Sequence, residues 1–148
     1  MRRREDQKQY DRTVAGNWPE KAEMITGPVY KAMDLKYARN PGYTGALYLH
    51  EGVEGPSIGT LRVVKAGKDP GYINLEDVSR AIRTTRKLHD VFPGYVIASV
   101  VKHEIPCGAA RADNTSEAFE RAWAGDSLSA FGGVVALSET VNYDTAKE

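Results

Sequence analysis

The hydrophobic and polar positions of this chain alternate between strand-like and helix-like patterns from Asp34 onward. Short apolar runs at 46–49 and 61–64 predict strands, because turn-forming residues lie between them. The strongest β-branched run, at 95–101, predicts a strand that is buried on both faces. A similar composition at 134–137 predicts another buried strand.

Two predicted helices separate these strands. Apolar residues recur at near-helical spacing from Asn74 to Val91, with the asparagine as a plausible N-cap and a Pro-Gly pair just beyond the end. A second helix is predicted over about 115–124, where Asn114 followed by Glu117 resembles a capping box. Alternating strands and helices predict an α/β sandwich.

Residues 1–33 differ from the rest of the chain. They begin with a run of charged residues and contain few branched aliphatic side chains. This composition predicts a partly ordered N-terminal arm that docks as one short helix or an extended segment, with a disordered leader as the alternative. We therefore predict an arm over 1–33 and a single domain over 34–148.

Composition narrows the class of protein. The chain has 148 residues, of which 41% are hydrophobic and 27% charged, as in soluble globular proteins. Its formal net charge of zero argues against nucleic-acid binding through bulk electrostatics. Cys107 is the only cysteine, which excludes an internal disulfide and a thiolate-rich zinc site. The apolar runs are too short for a membrane span, so we predict a cytoplasmic protein without membrane contact.

Two segments next to predicted strands carry residues that suit ligand binding. Lys102 and His103 follow the strongest strand and combine a positive charge with a neutral base. A proline and a glycine further on predict a sharp turn, leading into a helix whose N-terminal amides face the site. The other segment, 127–133, has paired glycines that allow close approach to a ligand and Phe131 to stack on a flat ring. A solvated Lys-His pair and an ordinary turn are the alternative interpretations.

One metal signature needs separate treatment. His103, Glu104, Pro106 and Cys107 resemble the ligand motifs of zinc-dependent nucleobase deaminases. In those enzymes the two motifs are far apart, and a second cysteine follows the first after two intervening residues. Ala110 stands at that position here. Three zinc ligands therefore cannot be assembled, and we predict a site without metal.

Four segments, in order, resemble one known family. They are Leu35 to Pro41 (LKYARNP), Gly67 to Asp77 (GKDPGYINLED), Lys102 to Ala110 (KHEIPCGAA) and Ser129 to Gly133 (SAFGG). Together they are similar to the formyltransferase part of the bifunctional purine-biosynthesis enzyme, which acts on 5-aminoimidazole-4-carboxamide ribonucleotide (AICAR). The resemblance covers about residues 34–148 and corresponds to the first half of that formyltransferase domain.

The resemblance implies a fold, a reaction and partners. The fold is a cytidine-deaminase-like three-layer sandwich, with a mixed sheet, helices on both faces and no zinc. The reaction is transfer of a formyl group from 10-formyltetrahydrofolate, as co-substrate, to the 5-amino group of AICAR. Further contacts to nucleotide and folate come from a second half of similar fold, across a dimer interface. The resemblance therefore implies a homodimer or a partner chain that carries this half.

The resemblance also assigns residues to the reaction. In the family the Lys-His histidine removes a proton and the lysine stabilises charge, which makes His103 the general base and Lys102 its electrostatic partner. The resemblance assigns substrate contacts to Lys36, Tyr37, Asn40, Phe131 and Gly132. It assigns possible further contacts to Lys68 and Asn74.

Some positions depart from the family pattern. Ile105 stands where the family has asparagine or serine, Ala38 replaces a glycine, and Gly42-Tyr43 replaces a polar pair. These departures keep two alternatives open: a non-catalytic nucleotide-binding or regulatory module with the same fold, and an enzyme acting on a related aminoimidazole.

Overall fold

The computed structural model describes residues 18–24, 26–40, 43–52, 58–62, 64, 70–143 and 145–147. The chain divides into two compact units, residues 1–73 (unit 1) and residues 74–148 (unit 2). Each unit has its own antiparallel sheet. Among the described helices, none is long and apolar enough to cross a membrane.

Unit 1 contains a three-stranded sheet in the order β1-β2-β3, formed by Lys21–Met24, Gly27–Leu35 and Gly45–His50. Both pairings are antiparallel, and the register of β2 against β3 shifts once, near the middle of β2. Within β2, Val29 and Leu35 are the buried apolar residues. Few apolar residues in the described part of this unit are therefore buried.

Polar and aromatic contacts support the same sheet. The Trp18 indole donates to the Thr44 hydroxyl at 3.3 Å, and its ring meets that of Tyr48 edge-on. Lys31 donates to the Trp18 carbonyl oxygen and forms an ion pair with Glu20, with nitrogen and oxygen 2.7 Å apart. Burial raises the pKa of the Tyr48 hydroxyl. In this unit, side-chain hydrogen bonds thus supply much of the stabilisation that a packed apolar core supplies elsewhere.

Unit 2 is built on a sheet in the order β5-β4-β6, formed by Ile105–Ala112, Val96–Lys102 and Val134–Leu137. The other elements are two longer helices, a short helix and a 3₁₀ turn: α1 (Tyr72–Val91, which belongs to unit 2 from Asn74 onward), α2 (Thr115–Trp123), α3 (Ser127–Ala130) and Thr145–Lys147. Strand β4 is central, and its first six residues are all buried. A strand paired on both edges and covered on both faces needs this continuous apolar run.

The two faces of β4 contact different helices. Val96, Ala98 and Val100 form a buried cluster with alanines of α2 and α3. On the other face, the Ser99 hydroxyl donates to the Ala81 carbonyl oxygen of α1 at 3.2 Å. Helices therefore pack on opposite faces of the sheet within unit 2.

The face that helix α1 packs against β4 is not the one that its larger apolar residues predict. Its buried residues are Leu75, Asp77, Ala81 and Thr85, whereas the predicted stripe of larger apolar residues is only partly buried beyond Leu75. The Thr85 hydroxyl lies 2.8 Å from that of Ser99, so polar groups meet at the centre of this contact. Small and polar side chains let the helix backbone approach the strand closely.

Several sequence predictions are confirmed. The α/β class holds, and the strands predicted at 46–49 and 95–101 appear as β3 and β4, with bounds shifted by one residue. The strand predicted at 134–137 appears as β6 with the predicted bounds, but it is only partly buried, where a buried strand was expected. Helix α2 begins after Asn114, whose side chain accepts from the Glu117 amide at 2.9 Å. The capping pattern thus located this helix correctly. The cytidine-deaminase-like topology stays a prediction.

Other predictions were wrong. Leu61 and Arg62 belong to no strand, and Val64 lies in a bend; residue 63 lies outside the described residues. Helix α1 begins at Tyr72, so Asn74 lies inside the helix and does not cap it. All pairings between described strands are antiparallel, where a mixed sheet was predicted.

Two further predictions missed strands. The segment after Lys102 returns as strand β5, because a two-residue turn forms a hairpin where a helix was predicted. In the N-terminal region, residues 21–24 and 27–35 form strands, where a short helix or an extended arm was expected. Strand β2 continues across the predicted boundary at 33/34, and this division stays a prediction.

Candidate functional site

A tight turn presents the Lys-His pair. Lys102 at the end of β4 pairs with Ile105 at the start of β5, so only His103 and Glu104 form the loop. Both have positive φ, 53° and 65°, as in the type I′ turns that match the twist of a hairpin. Side chains other than glycine adopt this left-handed conformation at a cost of about 1–2 kcal/mol per residue. Tertiary contacts must offset that cost.

Asp77 of α1 supplies the contact. Its buried carboxyl group accepts hydrogen bonds from the backbone amides of His103 at 3.1 Å and Glu104 at 2.6 Å. Both carboxyl oxygens are used, one for each amide. These hydrogen bonds join helix α1 to the turn at His103, the candidate base.

The second predicted segment meets the first directly. The Lys102 ammonium donates to the carbonyl oxygen of Phe131, with the nitrogen and oxygen 2.6 Å apart. The two lie together because β4 and β6 are antiparallel, with Val101 opposite Val134. At Gly133, an added Cβ would lie 2.8 Å from the Val101 carbonyl oxygen, so this approach needs glycine.

Helix α3 and the turn after it shape the other side of this site. Asp126 caps α3, and its hydrogen bonds to the Ser129 hydroxyl and amide lower the pKa of its carboxyl group. The chain then leaves the helix at Phe131 and turns at Gly132, where φ is 77°. A left-handed turn of this kind favours glycine. The predicted loop is therefore a short helix followed by a glycine turn.

The arrangement leaves reactive groups accessible. The His103 imidazole is exposed, and the Phe131 ring is 78% exposed although its carbonyl oxygen is bound by Lys102. An exposed imidazole can accept a proton, and an exposed ring can stack on a planar ligand. Ile105, at 68% exposure, adds an apolar side chain next to the turn.

The predicted nucleotide contacts Lys36, Tyr37 and Asn40 lie together in unit 1, directly after β2. All three are exposed, and the Lys36 ammonium lies 5.0 Å from the centre of the Tyr37 ring. Backbone hydrogen bonds fix this segment, since the Tyr37 carbonyl oxygen accepts from the Tyr72 amide at 2.8 Å. Their contact with nucleotide stays a prediction.

The two further contacts have separate outcomes. Lys68 lies outside the described residues. Asn74 is exposed near the start of α1 and belongs to unit 2. Among described histidine, cysteine and acidic residues, no three converge to hold a metal ion. The metal-free site stays a prediction.

Sequence reasoning missed Asp77 as part of this site. The residue is the last one of the GKDPGYINLED segment, and an aspartate on the inner face of a helix needs a partner. The position of Asp77 on the helix was the signal that the sequence offered. It was overlooked because the inner face of the helix was assigned from larger apolar residues, which lie to one side of Asp77.

Comparison with known proteins gives consistent matches. The family model described as AICARFT/IMPCHase bienzyme matches residues 5–148. The bifunctional purine biosynthesis protein PurH of Agrobacterium fabrum (strain C58) is 35% identical over 160 aligned positions, which cover the whole chain. The PurH proteins of Aquifex aeolicus and of an Anaeromyxobacter species are 36% and 40% identical over 82% and 80% of the chain.

These relatives are much longer than the chain. The matched segments cover 29%, 23% and 22% of the three relatives, in the same order. The match to the family model nevertheless spans nearly all 148 residues. The chain therefore belongs to the AICARFT/IMPCHase bienzyme family.

Proposed function

We propose that the chain takes part in purine biosynthesis by transferring a formyl group from 10-formyltetrahydrofolate to the 5-amino group of AICAR. One observation carries the proposal: the exposed His103 lies on a fixed turn, beside a lysine that is bonded to the Phe131 backbone. The family supplies the reaction, and this geometry supplies the residues for it. The proposed location is cytoplasmic.

The chemistry requires a base and a positive charge. The AICAR amine is a poor nucleophile because its lone pair is conjugated with the imidazole ring and the carboxamide. It must lose a proton as it attacks the formyl carbon, and the oxygen of that carbon then gains negative charge. Breaking the bond from carbon to the folate nitrogen completes the transfer, and that nitrogen takes a proton.

His103 and Lys102 can fill these two roles. The His103 imidazole is the proposed general base and accepts the amine proton. The Lys102 ammonium has three donors, so its bond to the Phe131 carbonyl oxygen leaves capacity for the developing oxyanion. Since this bond fixes the lysine, its charge is already in place before the substrate arrives.

The proposed substrate contacts are given for each unit by itself. In unit 2, the exposed Phe131 ring stacks on the aminoimidazole, and Gly132 allows the substrate to approach the backbone. In unit 1, Lys36, Tyr37 and Asn40 contact the nucleotide. Lys68 and Asn74 are proposed as further contacts. The proposed site contains no metal, since proton transfer and charge stabilisation are assigned to side chains.

The proposed active form contains more than this chain. The chain spans less than a third of the curated relatives that it matches. We therefore assign the remaining nucleotide and folate contacts to a second half, carried by a partner chain or completed across a homodimer. The isolated chain is expected to bind AICAR more readily than it transfers formyl groups.

The alternative is a nucleotide-binding or regulatory module without catalysis. Ile105 favours it, because this side chain is 68% exposed next to the turn, at the position where the family carries a polar residue. Under this alternative, AICAR binds but the amine is not activated. Substituting Ile105→Asn would then leave turnover absent, whereas the enzyme proposal expects turnover already with isoleucine.

The test is formyl transfer by the chain alone and after co-expression with the remainder of the Agrobacterium PurH. Product formation from AICAR and 10-formyltetrahydrofolate is followed together with AICAR affinity. His103→Ala should lower turnover by about 10²–10⁴-fold, the usual contribution of a general base. AICAR affinity should stay within about tenfold, because the base is not a principal binding group.

Matched controls lie elsewhere in unit 2. His89→Ala and Lys87→Ala change the same residue types on α1 and should leave turnover near the wild-type value. Lys102→Ala should lower turnover through lost charge stabilisation. If His103→Ala keeps most of its turnover, the base lies elsewhere. AICAR binding without turnover in the co-expressed form would favour the regulatory module.

A further inference from the structure

Asp77 occupies an unusual place for a helix side chain. It is 4% exposed on the inner face of α1, one turn before Ala81, whose carbonyl oxygen binds Ser99 of β4. Its carboxyl oxygens reach beyond the end of β4 and accept from the amides of both loop residues, His103 and Glu104. The helix that supports the strand thus also holds its turn.

The turn depends on such support. Two-residue hairpin loops with positive φ at both positions favour Asn-Gly or Asp-Gly pairs, which tolerate the left-handed conformation. His103 and Glu104 have φ of 53° and 65° without a glycine. The local sequence therefore does not specify this turn. The two amides of the turn point to one carboxyl group, which has an oxygen for each.

We propose that Asp77 is the positioning residue of the formyl-transfer site, an inference that rests on the proposed function. By binding both amides, it fixes the direction in which the His103 side chain leaves the turn. It also fixes the end of β4, where Lys102 reaches the Phe131 carbonyl oxygen. Asp77 itself contacts no substrate; it acts on the base through the backbone.

The chemistry of the contact distinguishes aspartate from asparagine. Asparagine has nearly the same shape but presents one acceptor oxygen and one NH₂ donor. Because each turn amide has its own carboxyl oxygen, an asparagine in the same place accepts from one amide and turns its NH₂ donor towards the other. Asp77→Asn should therefore lose much of the positioning effect although it adds no bulk. Misplacing a catalytic group by about 1 Å can cost about 10²-fold in rate.

The first experiment measures the turn without reference to activity. Exchange of the His103 and Glu104 amide protons with water is followed by NMR in the full chain. Asp77→Asn should raise exchange at one or both amides by at least about tenfold, while amides in the middle of β4 stay protected. Unchanged exchange at both turn amides would overturn the inference.

The second experiment measures turnover in the co-expressed form. Asp77→Asn should lower kcat by about 10- to 100-fold, with KM for AICAR within about threefold of the wild-type value. A purely structural role would instead lower the amount of folded protein, with normal kcat per folded molecule. That result would contradict the positioning role.

A rescue variant separates backbone conformation from side-chain loss. Glycine adopts positive φ readily, so Glu104→Gly should restore part of the turn when Asp77 is replaced. Glu104→Ala is the matched control, because it removes the same side chain but keeps the Cβ. We expect Asp77→Asn with Glu104→Gly to exceed Asp77→Asn with Glu104→Ala in kcat by at least about fivefold. Equal rates in the two double variants would overturn the inference.

The outcomes distinguish the two proposals. If the wild-type form transfers formyl groups and His103→Ala abolishes this, but Asp77→Asn is active, the positioning role fails and the function stands. If neither the wild-type nor the variant forms transfer formyl groups, the proposed function fails, and the positioning role fails with it. If Asp77→Asn alone does not fold, the rescue pair decides: Asp77→Asn with Glu104→Gly should recover more folded protein and a higher kcat than Asp77→Asn with Glu104→Ala, and equal recovery contradicts the role.

Discussion

The two units of this chain are stabilised in different ways. In unit 2, a strand with six consecutive buried residues lies between helices and forms a continuous apolar cluster with α2. In unit 1, the described buried apolar residues are Val29 and Leu35, and hydrogen bonds around Trp18, Lys31 and Tyr48 supply the remaining contacts. Unit 2 is therefore stabilised by a packed apolar core, whereas unit 1 is stabilised mainly by a network of side-chain hydrogen bonds.

The difference bears on where the proposed catalytic groups lie. Groups that transfer protons need fixed positions, and Lys102 and His103 lie where the packed strand ends. We therefore propose that the packed core of unit 2 is what holds the catalytic groups in place.

The largest expected loss of stability comes from a substitution that disrupts the packing in unit 2. At Gly108, an added Cβ would lie 2.0 Å from the Ala122 backbone oxygen, whereas at Gly59 of unit 1 it would meet the Leu49 side chain at 1.9 Å. Backbone cannot move aside cheaply, but a leucine can change rotamer. Gly108→Ala should cost about 3 kcal/mol or more and Gly59→Ala less than about 1.5 kcal/mol.

The two tryptophans allow this comparison to be measured unit by unit. Trp18 lies in unit 1 and Trp123 in unit 2, and the chain contains no other tryptophan. Urea denaturation followed in the Trp18→Phe and Trp123→Phe backgrounds reports each unit separately. If the two glycine substitutions lower the free energy of unfolding equally, the distinction between a packed unit 2 and a hydrogen-bonded unit 1 is contradicted.

The next effect concerns buried hydroxyl groups. Ser99 is fully buried and bonds both Thr85 and the Ala81 carbonyl oxygen, so Ser99→Ala should cost about 1–3 kcal/mol. The partly buried Thr44 in unit 1 accepts from Trp18, and Thr44→Val should cost about 0.5–1.5 kcal/mol. The same urea experiment measures both, and a larger loss at Thr44 would reverse the ranking.

A smaller effect separates the proposed substrate contacts. Stacking of a base on an aromatic ring contributes about 1–3 kcal/mol, so Phe131→Ala should weaken AICAR binding by about 10- to 100-fold. Tyr37→Ala should weaken it by about threefold, because no stacking on the base is assigned to this ring. Isothermal titration calorimetry with AICAR measures both, with Leu128→Ala, 92% exposed on α3, as the control. Equal effects of Phe131→Ala and Leu128→Ala would exclude stacking.

The smallest effect is a pH dependence at the cap of α3. The lowered pKa of Asp126 means that its carboxylate stabilises the fold above the unfolded value near 3.8. This contribution is lost as the pH falls through the folded pKa. Thermal denaturation between about pH 6 and pH 2.5 should show a slightly shallower acid loss for Asp126→Asn. An identical acid profile would show that the cap contributes nothing.

The sequence predicted unit 2 better than unit 1 for a physical reason. Strand β4 and helix α2 follow from local signals, a β-branched run and a capping residue, which hold wherever the segment packs. Strands β1 and β2 have weak local patterns and depend on each other and on β3 for pairing. Pairing between distant segments cannot be read from one segment alone.

The candidate site was predicted in part for the same reason. Lys102 and the segment around Phe131 were both singled out, and the structure brings them into contact. The two segments were chosen because each lies next to a predicted strand, and an antiparallel pairing is what joins them. Asp77 was missed because its role depends on a turn that the sequence did not predict.

The most direct test maps AICAR binding onto the chain by NMR. In the proposed site, titration with AICAR shifts the amide signals of 102–104 and 131–133, and His103→Ala leaves these shifts largely in place while turnover is lost. Shifts in these two segments together would support the account, since they adjoin at the end of β4. Saturable AICAR binding that shifts other residues and leaves both segments unchanged would contradict it, as would the absence of binding at millimolar AICAR.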